Sequence, residues 1–195
     1  MTPENSYLIV GLGNPGREYR DSRHNAGFML IDMIAVRLNA RGMKMQSKAL
    51  VMTATYEERK LILAKPQTYM NLSGSSIQGL IHFYKLPLTN VLIGHDDLDL
   101  PFGTIRLRPG GGPGGQRGMA SAIEQLGTKE FPRLRIGIGR PPGRMDPSAY
   151  VLQDFTREEI KALPAIIERA ADAAFEFVIN GLDKAMNKYN GAVES

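Results

Sequence analysis

The hydrophobic pattern predicts an α/β fold: one domain over residues 1–195, with a mixed β-sheet flanked by helices on both faces. Three observations predict it. Short apolar runs suited to buried strands are interspersed with segments of helical spacing, the order that builds a sheet with helices laid on it. One pair of strand-like runs is joined by the charged turn Glu57-Glu58-Arg59, a hairpin, so the sheet is not all parallel. The 195 residues fit a single domain and contain no internal repeat or low-complexity linker.

Each element follows from its residues. Tyr7-Leu-Ile-Val10 is a continuous apolar run before a glycine-rich turn, as a buried strand requires. Residues 26–38 place Phe28, Ile31, Ile34, Ala35 and Leu38 at helical spacing. Ala49–Tyr56 and Lys60–Ala64 are the hairpin strands. Over residues 73–86, Ile77, Leu80, Ile81 and Tyr84 share a helix face, with Ser73 in the place of an N-cap. Val91-Leu-Ile93 is a buried strand ending in His95-Asp96-Asp97. Gly103–Arg108 alternates Ile105 and Leu107 with Arg106 and Arg108, which puts both arginines on one sheet face. Met119–Leu126 is a helix stopped by Gly127, Leu134–Ile138 is a strand, and Pro141-Pro-Gly143 with Pro147 marks a loop. Thr156-Arg-Glu-Glu159 is a capping box opening a helical region with an apolar stripe that includes Ile160, Leu163, Ile167, Ala170, Ala174 and Val178. Pro164 should kink that helix or restart it, because it lacks a donor and clashes one turn back. A last short helix spans Leu182–Tyr189.

Composition narrows the function. The absence of cysteine excludes disulfides, thiolate metal sites and a Cys nucleophile. No apolar run approaches the ~18 residues of a membrane span. Met1-Thr-Pro-Glu-Asn-Ser6 has neither the basic start nor the apolar stretch of a signal peptide, so a soluble cytoplasmic protein is expected. Net charge is +4, but residues 103–144 carry eight cations against two acids, and residues 150–195 carry five against eight. Seven of those eight central cations are arginine, the better bidentate phosphate ligand, which points to a polyanion such as nucleic acid.

The motifs add chemistry. Gly11-x-Gly13-x-x-Gly16 follows a strand as a dinucleotide fingerprint does. Pro15 interrupts it, however, Arg17–Arg23 separates it from the helix, and no acidic residue closes a second strand ~20 residues on. A tight turn at a strand end fits better, and Asn14 there is placed to touch a ligand. His24, one of three histidines, precedes a helix. Asp96 or Asp97, from a distant strand end, would orient its tautomer and stabilise its imidazolium. The competing reading is that Asp96, Asp97 and Asp99 form a solvated loop or ligate Mg²⁺ or Ca²⁺. No G-x-S-x-G elbow, zinc-spaced His pair or P-loop occurs, so for a hydrolase the simplest scheme left is water attack assisted by a general base. In Tyr69-Met70-Asn71-Leu72-Ser73-Gly74, Asn71 either caps the next helix or presents its carboxamide to a substrate, with Tyr69 and Met70 as apolar walls. Six of the nine residues from Gly110 to Gly118 are glycine, so this backbone either approaches a ligand closely or moves as a gate.

Together these segments resemble the bacterial peptidyl-tRNA hydrolase family. The matching stretches are Leu8-Ile-Val-Gly-Leu-Gly-Asn-Pro-Gly16, Tyr19, Arg23-His-Asn-Ala-Gly27, Lys65-Pro-Gln-Thr-Tyr-Met-Asn-Leu-Ser-Gly74, His95-Asp-Asp-Leu-Asp-Leu-Pro101, the glycines after Pro109, and Arg133-Leu-Arg-Ile-Gly-Ile-Gly139. The resemblance implies a twisted mixed sheet between helices and hydrolysis of the ester joining a peptide to the 3′-ribose of tRNA, which recycles stalled peptidyl-tRNA. It implies His24 as general base, Asp96 as its partner, and Asn14 and Asn71 as amides holding peptide and water, with Tyr19, Tyr69 and Met70 lining the cleft. Arg106, Arg108 and Arg135 stand where the family grips acceptor-stem phosphates. No metal or organic cofactor is implied, and a monomer with no membrane and no obligate protein partner is expected. The chain departs from the family after the glycine loop, where Gln116-Arg117 replaces the usual His-Asn, which leaves these two as a gate or a substrate contact. The alternative function is a relative of the same fold that binds RNA without hydrolysis, as organellar members do in group II intron splicing.

Overall fold

The computed structural model describes residues 5–192. The first four residues, part of the stretch read for a signal peptide, lie outside the described residues. Strands β1 (Ser6–Gly11), β2 (Arg41–Gln46), β3 (Ala49–Tyr56), β4 (Arg59–Pro66), β5 (Val91–Asp97), β6 (Thr104–Arg108), β7 (Arg133–Gly137) and β8 (Gly191–Ala192) form one sheet, in the order β2-β3-β4-β1-β5-β7-β6-β8. The inner four strands are parallel, and antiparallel strands extend both flanks. Among the described residues the helices are α1 (Ala26–Arg37), α2 (Ser73–Tyr84), α3 (Arg117–Leu126), α4 (Pro147–Val151), α5 (Arg157–Asn180) and α6 (Leu182–Tyr189). None is long and apolar enough to cross a membrane.

The inner strands are buried on both faces, so they read as unbroken apolar runs. On β1, Ile9 joins the core beneath α1 and α5, whereas Leu8 and Val10 join the core beneath α2 and α3. Leu61 and Leu63 of β4 and Leu92 of β5 face the first core, and Ile62, Ala64, Val91 and Ile93 face the second. Glycine sets the closest approaches. A Cβ on Gly11 would lie 2.0 Å from the Gly27 carbonyl oxygen, so β1 and the start of α1 touch backbone to backbone. A Cβ on Gly74 would lie 2.1 Å from the Ser121 carbonyl oxygen, which brings α2 equally close to α3.

Several expectations shift. Ser73 is the first residue of α2 rather than its N-cap, and its hydroxyl donates to the Met70 carbonyl at 2.8 Å. Pro164 lies inside a continuous α5, which does not restart there. Its side is exposed, as is Ile160 one turn back, so the carbonyl left without a donor is open to water. Pro147 opens the short helix α4 instead of a loop, its fixed φ suiting a first turn. Strand β2 escaped the pattern because five of its six residues are exposed and no Asn-Gly marks its turn. Ser47 and Lys48 supply that turn with φ of 49° and 59°, and Glu57 and Glu58 do the same at the next hairpin.

Candidate active site

The sheet order reverses about β1, with β4 on one side and β5 on the other. A crevice opens at the carboxyl ends of strands at such a point. Asn14 follows β1, Met70 and Asn71 follow β4, and Asp96 is the last residue but one of β5. His24 arrives from the 3₁₀ turn Arg23–Asn25 that leads into α1.

That turn is held from both sides. Arg23, 3% exposed, donates to the Asp154 carbonyl at 2.7 Å and pairs with Glu159 at 2.6 Å, while its guanidinium lies over the Tyr150 ring at 4.3 Å. Glu159 also completes the capping box of α5, so one carboxylate ties the His24 turn to a helix start. On the other side, Asn25 Nδ2 donates to the Asn14 carbonyl at 3.0 Å, and the Asn14 N–H donates to Asn25 Oδ1 at 2.8 Å. The Met70 N–H donates to Asn14 Oδ1 at 3.0 Å. That bond identifies the oxygen of the Asn14 carboxamide and leaves Nδ2 as a donor without a partner among the described residues.

His24 Nδ1 lies 2.9 Å from Asp96 Oδ2 in a buried contact. A carboxylate only accepts, so Nδ1 carries the proton and Nε2 presents its lone pair, with no partner among the described residues. Of the two aspartates considered from sequence, the partner is therefore Asp96. Asp97 pairs with Arg135 Nε at 2.6 Å, and Asp99 pairs with Arg140, so the three carboxylates take separate cations or imidazole. The second oxygen of Asp96 accepts from Gln116 Nε2 at 3.0 Å.

A cleft of about 290 Å³ opens over this pair, lined by Asn14, His24, Tyr69, Met70, Asn71, Asp96, Gln116 and Arg117 among others. Asn71 is exposed and makes no capping bond to α2, so its carboxamide is available to the cleft. Tyr69 is 68% exposed and forms an apolar rim, with Leu152 across the cleft. Tyr19 is not among the lining residues; it is half-buried in the turn Arg17–Tyr19.

Beside the cleft, β6 and β7 present arginines to one face. Arg106 stands opposite Arg135 and Arg108 opposite Arg133, while Ile105, Leu107, Leu134 and Ile136 turn to the core. Like charges directly opposite on a sheet are unfavourable, and here Asp97 offsets Arg135 at 2.6 Å. Arg108, Arg133 and Arg135 line a second cavity beneath the glycine loop, which shares Asp97 and Gly114 with the cleft. Arg133 is 2% exposed and donates to the Gly112 and Lys129 carbonyls at 3.1 and 2.7 Å, so it fastens the loop. Burial lowers its pKa from the ordinary guanidinium value, as does neighbouring Arg135, against the pull of Glu130. It nevertheless stays charged.

His95 lines the same cavity. Its Nδ1 lies 2.7 Å from the Asp96 carbonyl, and its Nε2 is buried without a partner. Burial pushes its pKa below the usual imidazole value, outweighing the pull of Asp96 and Asp97. The unfolded chain then takes up a proton at higher pH than the folded protein does. Stability contributed by His95 is lost as pH falls below about 6.5, at up to ~1.4 kcal/mol per unit. Urea midpoints between about pH 7.5 and 5 should fall less for His95→Gln than for the wild type. Equal slopes would remove this account.

Sequence reasoning missed Asn25 and Arg23 as supports, although both flank His24, and missed Arg133 as the loop fastener, although it opens the Arg133-Leu-Arg135 pattern. The role of Gln116 carried no signal beyond its departure from the family.

Comparison with known proteins follows the same lines. The family model described as peptidyl-tRNA hydrolase matches residues 8–195. A peptidyl-tRNA hydrolase of Mycobacterium tuberculosis is 50% identical over 182 residues, covering 93% of this chain and 95% of that protein. One from Frankia alni is 44% identical over 189 residues, covering 97% and 96%. The crystal structure of peptidyl-tRNA hydrolase from Acinetobacter baumannii superposes with a TM-score of 0.88 at 36% identity, covering 95% of this chain and 96% of that one.

Proposed function

The chain belongs to the peptidyl-tRNA hydrolase family and is a hydrolase of peptidyl-tRNA, and on that premise we propose that His24 is the general base that activates water against the ester between peptide and 3′-ribose. The observation that carries this reading is the buried 2.9 Å contact of His24 Nδ1 with Asp96 in a cleft that also holds Asn14 and Asn71. Nε2 takes a proton from water, and Asp96 stabilises the imidazolium that results. The free Nδ2 of Asn14 donates to a carbonyl of the peptidyl group, and Asn71 holds the water or that carbonyl. General-base assistance contributes about 10²–10⁴-fold and oriented amide donors about 10²–10³-fold, enough for an already activated ester. Tyr69 and Met70 wall the peptide side, and Arg117 stands at the cleft as a substrate contact. No metal or organic cofactor enters this scheme.

On the RNA side, Arg106, Arg108 and Arg135 hold phosphates of the acceptor stem: Arg106 stands opposite Arg135 on the sheet, and the cavity that Arg108 and Arg135 border shares Asp97 and Gly114 with the cleft. The protein acts as a single-domain monomer in the cytoplasm, with no obligate protein partner. Release of the acyl group from N-acetyl-aminoacyl-tRNA tests the whole reading: a protein that bound this RNA and released nothing would be the non-catalytic relative instead.

The arginines have their own test. Arg106 has no ion pair among the described residues, so Arg106→Ala removes a phosphate contact and little else. KM should rise, and the log–log salt dependence should flatten by up to about 0.7–0.9 units, the share of one phosphate contact. Arg135→Ala should do the same and also leave Asp97 without its cation. An unchanged salt slope in both variants would refute the assignment.

A further inference from the structure

We propose that Gln116 is a positioning residue for the hydrolysis, one that acts through Asp96 rather than on the substrate; this rests on the reading of His24 and Asp96 as base and partner. Gln116 is the N-cap of α3, and its Oε1 accepts from the Met119 N–H at 2.8 Å. An N–H can only donate, so this bond settles which end of the carboxamide is oxygen. Nε2 is thereby turned to Asp96 Oδ1 at 3.0 Å, with Met70 Sδ beside it at 3.3 Å. Gln116 is 8% exposed, and both ends of its carboxamide are occupied within the protein.

The consequence falls on Asp96. The terminal torsion of an aspartate is broad, so a carboxylate held at one oxygen swings easily. Here Oδ2 meets His24 Nδ1 and Oδ1 meets Gln116 Nε2, donors delivered by separate segments. Two donors fix the carboxylate plane, and with it the line along which the imidazole is held. The cap bond in turn ties that plane to the start of α3. A neutral carboxamide supplies this donor without cancelling the Asp96 charge that the imidazolium needs, as a cation at this position would.

Substitution separates this role from a simple helix cap and from a substrate contact. Gln116→Glu keeps an oxygen for Met119 but sets an acceptor against Asp96. It should lower kcat 10- to 100-fold, as loss of a hydrogen bond to a charged group does, with KM for N-acetyl-aminoacyl-tRNA unchanged. Gln116→Met, which keeps the length and removes both polar ends, should also lower kcat with KM unchanged, and it serves if the glutamate variant fails to fold. The sharpest readout is a rescue. With Asp96→Asn alone, Gln116 forces the new amide to offer its oxygen to Gln116 and its NH₂ to His24. Adding Gln116→Glu reverses that amide, so its oxygen again faces Nδ1. The double variant should turn over about tenfold faster than Asp96→Asn alone. A rise in KM at constant kcat, a fall in thermal stability at normal kcat, or a double variant no faster than Asp96→Asn would overturn the proposal. Activity retained in His24→Ala would instead overturn the underlying base assignment, so the two failures are distinguishable.

Discussion

Replacing His24 with alanine should collapse turnover of N-acetyl-aminoacyl-tRNA by about 10²–10⁴-fold, the usual share of a general base. That corresponds to about 3–5 kcal/mol of barrier. The imidazole is the group in the cleft whose free nitrogen is an acceptor with its opposite nitrogen anchored to an acid. Alanine leaves the fold in place, because the anchors of that turn are the side chains of Arg23 and Asn25 on either side. The arginine face on β6 and β7 is untouched, so binding of the RNA, followed by fluorescence anisotropy or filter retention, should stay near wild type. Turnover within threefold of wild type would eliminate His24 as the base. A parallel loss of binding would mean that it holds substrate instead.

Asp96→Asn should cost nearly as much, about 10²–10³-fold, for a reason the hydrogen bonds specify. Gln116 Nε2 is committed as a donor by the cap bond to Met119. The asparagine introduced at 96 must answer it with oxygen, and so presents NH₂ to His24 Nδ1. Nδ1 then has to accept, which moves the ring proton to Nε2, the atom that should take one from water. The negative charge that steadies the imidazolium is lost at the same time. KM should change little. A kcat within a few-fold of wild type would show that neither tautomer nor charge at His24 limits the reaction. A rise in KM alone would place Asp96 in binding.

Much of the fold was legible because the inner strands are buried on both faces, which writes them as apolar runs such as Leu8-Ile-Val10 and Leu92-Ile93. The elements that escaped bury little. β2 is almost wholly exposed, and β8 is a two-residue strand whose neighbour Asn190 bonds Leu107 through its side chain. The arginine face was legible through the alternation of Arg106 and Arg108 with Ile105 and Leu107, since a period of two survives in the one-dimensional string. The partner of His24 left no local trace: Asp96 and Asp97 are adjacent aspartates that no periodicity separates, and only the family resemblance pointed to Asp96.

By itself, the order of residues determined the sheet with its covering helices, the basic centre and the identity of the groups able to do chemistry, because burial and charge leave local periodic traces. Tertiary structure alone decided the distance at which Asp96 meets His24, that Asp97 meets Arg135, that Gln116 is turned toward the acid by the α3 cap, and that Tyr19 stands off the cleft. The reason is one of range. A hydrogen bond between residues 72 positions apart depends on where strand ends and helix starts are brought together by packing, to within fractions of an ångström, and no local pattern encodes that distance.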